Sequence, residues 1–326
     1  MEEENEDEHV ESSSHRPFVS PITEWNIVAE DGTQALSLVF YPVEEVDDEV
    51  EKNLHADETL VLVIPGNPGN PYFYIPLMQQ IVKKLGRRHD VRCLSHAGHV
   101  MPWRNQNRDF TLQEQLDQKV YYVKQRLLEN PYLRLVVIGH SIGSYILLDI
   151  ARQFPQQIAR LGLLQPTIMH VALSRRGRQM MPLFNNYELV VMFVGMLETI
   201  IPVSLRRWII RRAVGSKTSD TIQLASLSLV NSIVLQNVFS MGASEVSDVI
   251  ELDSELVFKH AEKILFVYSA VDDWVPGEFV QEYQLRFPAA RHRIVPHGHA
   301  FMMEPNGTRD TMAHISQWIG DILDAA

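Results

Sequence analysis

Three residues of the types that perform nucleophilic acyl transfer stand in the order Ser141, Asp272, His299. A hydroxyl beside an imidazole beside a carboxylate is a working unit. The imidazole takes the hydroxyl proton, and the carboxylate holds the ring's tautomer and offsets its positive charge. Ser141 sits in Gly139-His140-Ser141-Ile142-Gly143, directly after Leu135-Val136-Val137-Ile138. A strand, a sharp turn carrying serine and then a helical pattern is the context in which Gly-x-Ser-x-Gly becomes a nucleophile elbow. The two glycines let the backbone cross closely, and the Ile142 N–H then faces the place where an oxyanion forms. Asp272 follows the strand-like Ile264-Leu265-Phe266-Val267-Tyr268, and Asp273 is the alternative acid beside it. His299 follows the strand-like run Arg291 to Val295, after a glycine and before an apolar pair, with His297 as its alternative.

The elements that must position these groups are readable in order. Ile22 to Val28 and Ala35 to Tyr41 pattern as two strands about Asp31-Gly32. Thr59 to Ile64 is a continuous apolar run, the mark of a strand covered on both faces. It ends in Pro65-Gly66-Asn67-Pro68-Gly69, a loop placed to offer a second oxyanion donor. That donor is the Asn67 N–H, since Pro68 has none. Tyr74 to Leu85 and Thr111 to Glu129 are helical, the second opened by a Thr111/Glu114 capping box. Val91 to Leu94 and Arg160 to Leu164 are further strands. The latter ends in Gln165-Pro166-Thr167 without a carboxylate, so the acid must come from the next strand. Helices are expected over Ser144 to Phe154, Gly277 to Phe287 and Thr308 to Leu323.

Serine, acid, then histidine, each shortly past a strand, is the chain order of the α/β-hydrolase fold. The expected architecture is a mostly parallel central sheet with helices on both faces. The core occupies 21–165 and 261–326, and a helical, hydrophobic lid fills 166–260. Within that lid, Leu189 to Val203 carries Glu198 as its only charge, and Thr221 to Val238 reads as one long uncharged helix. Between them Arg206, Arg207, Arg211 and Arg212 flank Trp208, Ile209 and Ile210, a pattern suited to a lipid interface. Leu189 to Val203 is too short and too interrupted to span a bilayer as one helix, and Pro202 should end or bend it.

Composition narrows the alternatives. The chain has 326 residues, 45% of them hydrophobic and 21% charged, enough for a large core. A net charge of −12 argues against nucleic acid as a partner. Cys93 is the single cysteine, so no intramolecular disulfide forms. His96 and His99 lie close together but lack a third ligand nearby, so no metal is expected, and the chemistry requires no cofactor. Residues 1–20 are acidic and serine-containing, read as a disordered tail without the apolar core of a secretory leader. Val43 to Glu58 reads as an acidic loop.

Several motifs together carry a resemblance. They are Ile64-Pro65-Gly66-Asn67-Pro68-Gly69 with Phe73-Tyr74, Leu94-Ser95-His96-Ala97-Gly98-His99, Gly139 to Tyr145, Asp272-x-Trp274-x-Pro276 and His299-Ala300-Phe301. In combination, over residues 59–320, the chain resembles the lipid droplet-associated hydrolase family. The resemblance implies an α/β-hydrolase on the cytosolic face of lipid droplets and the endoplasmic reticulum, attached through its hydrophobic middle region. It also implies action on sterol esters and a role in cholesterol and triglyceride storage. Two other readings stand beside this one: a weakly active or non-catalytic droplet-surface protein using the hydrolase core as a scaffold, and a soluble esterase with a closed lid.

Overall fold

A computed structural model describes residues 20–40, 59–85, 89–105, 108–215, 219–304 and 306–323. The acidic tail over 1–19 and the loop over 43–58 lie outside the described residues. The first half of the chain supplies β1 (Ile22–Ile27), β2 (Gln34–Phe40), β3 (Thr59–Ile64), α1 (Ile75–Leu85), β4 (Asp90–Leu94), α2 (Leu112–Glu129), β5 (Arg134–His140), α3 (Ile142–Gln153) and β6 (Ile158–Leu164). These strands and four more elements, β7 (Ile264–Val271), α10 (Gly277–Arg286), β8 (Arg291–Gly298) and α11 (Gly307–Leu323), complete the sheet and its cover. Between β6 and β7 lie α4 (Arg175–Phe184), α5 (Tyr187–Ile200), α6 (Val203–Val214), α7 (Asp220–Ser228), α8 (Ser232–Asp248) and α9 (Ser254–His260).

The eight strands form one sheet in the order β1-β2-β4-β3-β5-β6-β7-β8. β1 and β2 pair antiparallel, as do β2 and β4, and every later pairing is parallel. Side-chain alternation splits the core into two layers. Leu60, Leu62, Ile64, Leu135 and Val137 face a layer containing Leu116 and Val123 of α2, Ile146 and Ile150 of α3, and Tyr283 of α10. Val61, Val63, Val136 and Ile138 face the opposite layer, with Met78 and Ile81 of α1 and Ile315 and Trp318 of α11. The apolar runs of β3 and β5 are thus buried on both sides, which is why they show no polar alternation. The Thr111/Glu114 capping box forms at the start of α2.

In the stretch between β6 and β7, α5 ends at Ile200 and Pro202 caps α6. The expected single helix over Thr221 to Val238 is instead two, α7 and α8, bent by 82°. Asn231 explains the break. Its side chain accepts from the Val234 N–H at 3.1 Å, so it opens α8 as an N-cap. Glu198 of α5 then takes the Ser232 N–H at 2.8 Å, the Ser232 hydroxyl at 2.6 Å and the Asn231 amide at 3.1 Å. The one charge in the most apolar stretch therefore pins α5 to the start of α8. Arg206 reaches the same carboxylate at 3.1 Å. No single helix among the described residues is long and apolar enough to cross a membrane.

Candidate active site

The carboxyl ends of the parallel strands gather the polar groups, the edge at which open α/β sheets bind ligands. Ser141 follows β5 with φ 53° and ψ −123°, outside the ordinary regions for an L-residue. The crossing is tight. A Cβ added at Gly139 would strike the Gly143 carbonyl, and one at Gly143 would strike that of Ile64. The Ser141 N–H is anchored on the Leu164 carbonyl at 2.9 Å, and its own carbonyl accepts from the Ser144 N–H at 2.9 Å.

Strands β7 and β8 deliver the other two groups. His299 Nε2 lies 2.8 Å from Ser141 Oγ, and His299 Nδ1 lies 2.8 Å from Asp272 Oδ2. The Asp272 side chain is 1% exposed and that of His299 17%, so the carboxylate is hidden behind a ring that retains access to solvent. Asp272 Oδ1 accepts from the N–H groups of Trp274 at 2.8 Å and Val275 at 3.1 Å. Burial by itself would raise this carboxyl's pKa. The His299 ring and the two amides outweigh it and hold the group below the usual carboxylate range. An ionised Asp272 fixes a proton on Nδ1 and leaves Nε2 to face the serine. The arrangement can abstract a proton from Ser141 and return it to a leaving group.

The alternatives point elsewhere. Asp273 pairs with Arg175 at 3.3 Å and Arg176 at 3.7 Å, at the start of α4. His297 lies against Asp310 at 2.8 Å and Glu304 at 3.3 Å. His96 and His99 are buried in the loop after β4, where burial holds His99 down to about 4. Gly66 abuts the elbow: a Cβ there would lie 2.8 Å from Ser141 Cβ. Asn67 follows Gly66 directly, and Ile142 follows Ser141 as the first residue of α3.

The family model described as "Lipid-droplet associated hydrolase" matches residues 57–302. The chain belongs to the lipid droplet-associated hydrolase family. Among the family's curated members, that of Gallus gallus is 28% identical, over 86% of this chain and 90% of its own. The Homo sapiens member is 27% identical over 84% and 86%. The Dictyostelium discoideum member is 25% identical over 79% and 86%. Solved structures show the fold. A 2-hydroxy-6-oxo-6-phenylhexa-2,4-dienoate hydrolase from Rhodococcus superposes with a TM-score of 0.62 at 11% identity, covering 91% of this chain and 98% of that one. A haloalkane dehalogenase from Agrobacterium tumefaciens gives 0.63 at 11%, covering 92% and 97%. The expected α/β-hydrolase fold is the fold observed.

Family motifs brought Tyr74 and His140 into view, but sequence reasoning gave them no role. In the structure they are buried directly beneath the site, within hydrogen-bond distance of each other. Thr167, in the loop after β6, is a third neighbour of the site. Its hydroxyl lies 3.5 Å from Ser141 Oγ. Only the three-dimensional arrangement identifies these neighbours, because nothing in their local sequence differs from ordinary core and loop residues.

Proposed function

We propose that this protein is a serine hydrolase of lipid droplets that cleaves carboxylic esters of hydrophobic lipids, cholesteryl esters among them. Ser141 Oγ attacks the ester carbonyl carbon while His299 Nε2 takes its proton. The N–H groups of Asn67 and Ile142 receive the oxyanion, each such donor contributing about 3 kcal/mol to transition-state stabilisation. Collapse breaks the bond to the alcohol, which leaves with the proton from His299. Water then repeats the sequence on the acyl-enzyme and releases the acid. Asp272 keeps the ring oriented throughout. No metal or organic cofactor takes part.

The observation that carries this reading is the unbroken chain from Ser141 Oγ through His299 to a buried Asp272, 2.8 Å at each link. Its surroundings support a lipid substrate. Residues 166–260 serve as a lid and surface anchor whose α5 and α6 present Leu189, Met192, Phe193, Met196, Ile200, Leu205, Trp208 and Ile209 to solvent. On α5 these apolar residues recur every three or four positions, so they share a face. Such a face suits a droplet monolayer or the cytosolic face of the endoplasmic reticulum. The resulting role is in cholesterol and triglyceride storage.

The test is labelling of purified protein with a fluorophosphonate, together with hydrolysis of a lipid-ester panel on emulsion particles. Wild type should label and cleave, and Ser141→Ala should do neither. Folded wild type that fails both leaves the scaffold reading in its place.

A further inference from the structure

Beneath the serine runs a second hydrogen-bonded chain. The Gly66 N–H donates to the Tyr74 hydroxyl at 2.9 Å. That hydroxyl lies 2.7 Å from His140 Nδ1, and His140 Nε2 lies 2.9 Å from the backbone carbonyl of His299. Tyr74 is 3% exposed and His140 5%, so no bulk water substitutes for any link. Proton counting sets the direction. A carbonyl only accepts, so the His140 proton is on Nε2. A neutral imidazole carries one proton, so Nδ1 is bare and accepts from Tyr74. Burial holds His140 down to about 3 and keeps it neutral.

The ends of this chain are informative. Gly66 precedes Asn67, His140 precedes Ser141, and the last acceptor is the backbone of His299 itself. One directional relay therefore joins the loop after β3, the elbow after β5 and the loop after β8. Those are the loops that must agree to within a fraction of an ångström for acyl transfer. Phe301 closes over the His140 ring edge-on, with ring centroids 5.4 Å apart, and limits its rotation.

We propose that Tyr74 and His140 are positioning residues, a one-way hydrogen-bond relay that sets the oxyanion loop and the histidine-bearing loop in place around Ser141. The proposal rests on reading Ser141, His299 and Asp272 as the hydrolytic centre.

The test uses full-length protein and a soluble short-chain nitrophenyl ester, with kcat expressed per active site titrated by fluorophosphonate. Misplacing reacting groups by about 1 Å costs up to about 100-fold in rate, so Tyr74→Phe should lower kcat by about tenfold or more with KM within about twofold. The His140 pair separates positioning from packing. Glutamine carries its amide nitrogen as far from Cα as imidazole Nε2 is, and can still donate to the His299 carbonyl. Asparagine reaches only as far as Nδ1. Glutamine leaves the Tyr74 hydroxyl without its Nδ1 acceptor and asparagine leaves the His299 carbonyl without its donor, so both variants should lower kcat together with Tyr74→Phe although each keeps a polar side chain in the ring's place. A role in packing alone predicts lowered melting temperatures with unchanged kcat per titrated site, and that result overturns the relay. A second readout needs no turnover. Long-range proton–nitrogen NMR should show His140 as the neutral Nε2–H tautomer, and the Nδ1–H tautomer overturns the relay. Wild type that neither labels nor cleaves overturns the hydrolytic centre and the relay with it. Active wild type with a fully active Tyr74→Phe overturns the relay alone.

Discussion

Asn67 donates its side-chain amide to the carbonyl of Val238 across 2.8 Å, joining the loop after β3 to helix α8. Two turns further along α8, Glu245 is buried, and burial pushes its carboxyl up to about 8 against the pull of the Asn67 amide. A proposed oxyanion donor is thus tied to the helices between β6 and β7, and the tie includes an acid that is neutral at ordinary pH.

The stability consequence has a definite sign. Glu245 ionises near the ordinary glutamate value of 4.5 when unfolded and near 8 when folded. Between those values the folded state holds the extra proton, so stability falls as pH rises, by up to about 1.4 kcal/mol per pH unit. Glu245→Gln removes this loss. The variant should match wild type near pH 4.5 and melt higher than wild type near pH 8. Equal pH slopes in thermal unfolding would show that the carboxyl ionises freely.

Neighbouring acids should differ sharply. Asp272 holds the His299 tautomer, and loss of that constraint costs as much as about 10,000-fold in turnover in a comparable triad. Asp272→Asn should approach that loss. Asp273 pairs only with half-exposed or exposed arginines, so Asp273→Asn should stay within about twofold, a surface ion pair being worth about 0–1 kcal/mol. Steady-state cleavage of a soluble ester measures both.

That contrast marks where sequence reading ended. The elbow was legible because Leu135 to Ile138 and the two glycines act locally, and the Thr111/Glu114 cap was legible for the same reason. Residue spacing favoured Asp272 over Asp273 and His299 over His297 but left both alternatives open. The difference lies in which neighbours face them, and those come from distant strands and helices. The α7–α8 break was hidden because Thr221 to Val238 contains no proline, glycine or charge. Asn231 caps the new helix there, and Glu198, more than thirty residues earlier, holds that start in place. The relay through Tyr74 and His140 was invisible, since it exists only once a single sheet brings the loops after β3, β5 and β8 to one edge.

His297 offers a second pH test, in which the folded state again holds the extra proton and stability again falls as pH rises. Asp310 raises its pKa, burial opposes this slightly, and Glu304 adds to the rise. A histidine with a raised folded pKa stabilises fully below its unfolded value, and that contribution disappears as pH rises through the folded value. Wild type should therefore exceed His297→Asn in melting temperature near pH 5.5, with the gap closing near pH 8.5. Because the ring faces Glu304 and Asp310, ester cleavage should persist in the variant. Abolished cleavage in folded protein would return His297 to the site.

Surface residence and chemistry should separate. Ser141→Ala removes the nucleophile but touches none of the exposed residues of α5 and α6, so droplet targeting should survive it. The converse variant acts on the surface alone. Met192 is 69% exposed and Phe193 55%, and burying such a side chain in acyl chains is worth about 1.5–3 kcal/mol. Replacing both with serine should weaken binding to phospholipid-coated triglyceride emulsions by roughly 100-fold or more, at about tenfold per 1.4 kcal/mol. Hydrolysis of a soluble ester should be unaffected. The arginines divide in the same experiment. Arg206 is engaged with Glu198, whereas Arg207, Arg211 and Arg212 are exposed. Substituting the exposed three with glutamine should reduce binding to anionic emulsions at low salt and have little effect at high salt, where screening already removes their attraction. Unchanged emulsion binding in both variants would detach α5 and α6 from the lipid surface and leave them a cover over the site.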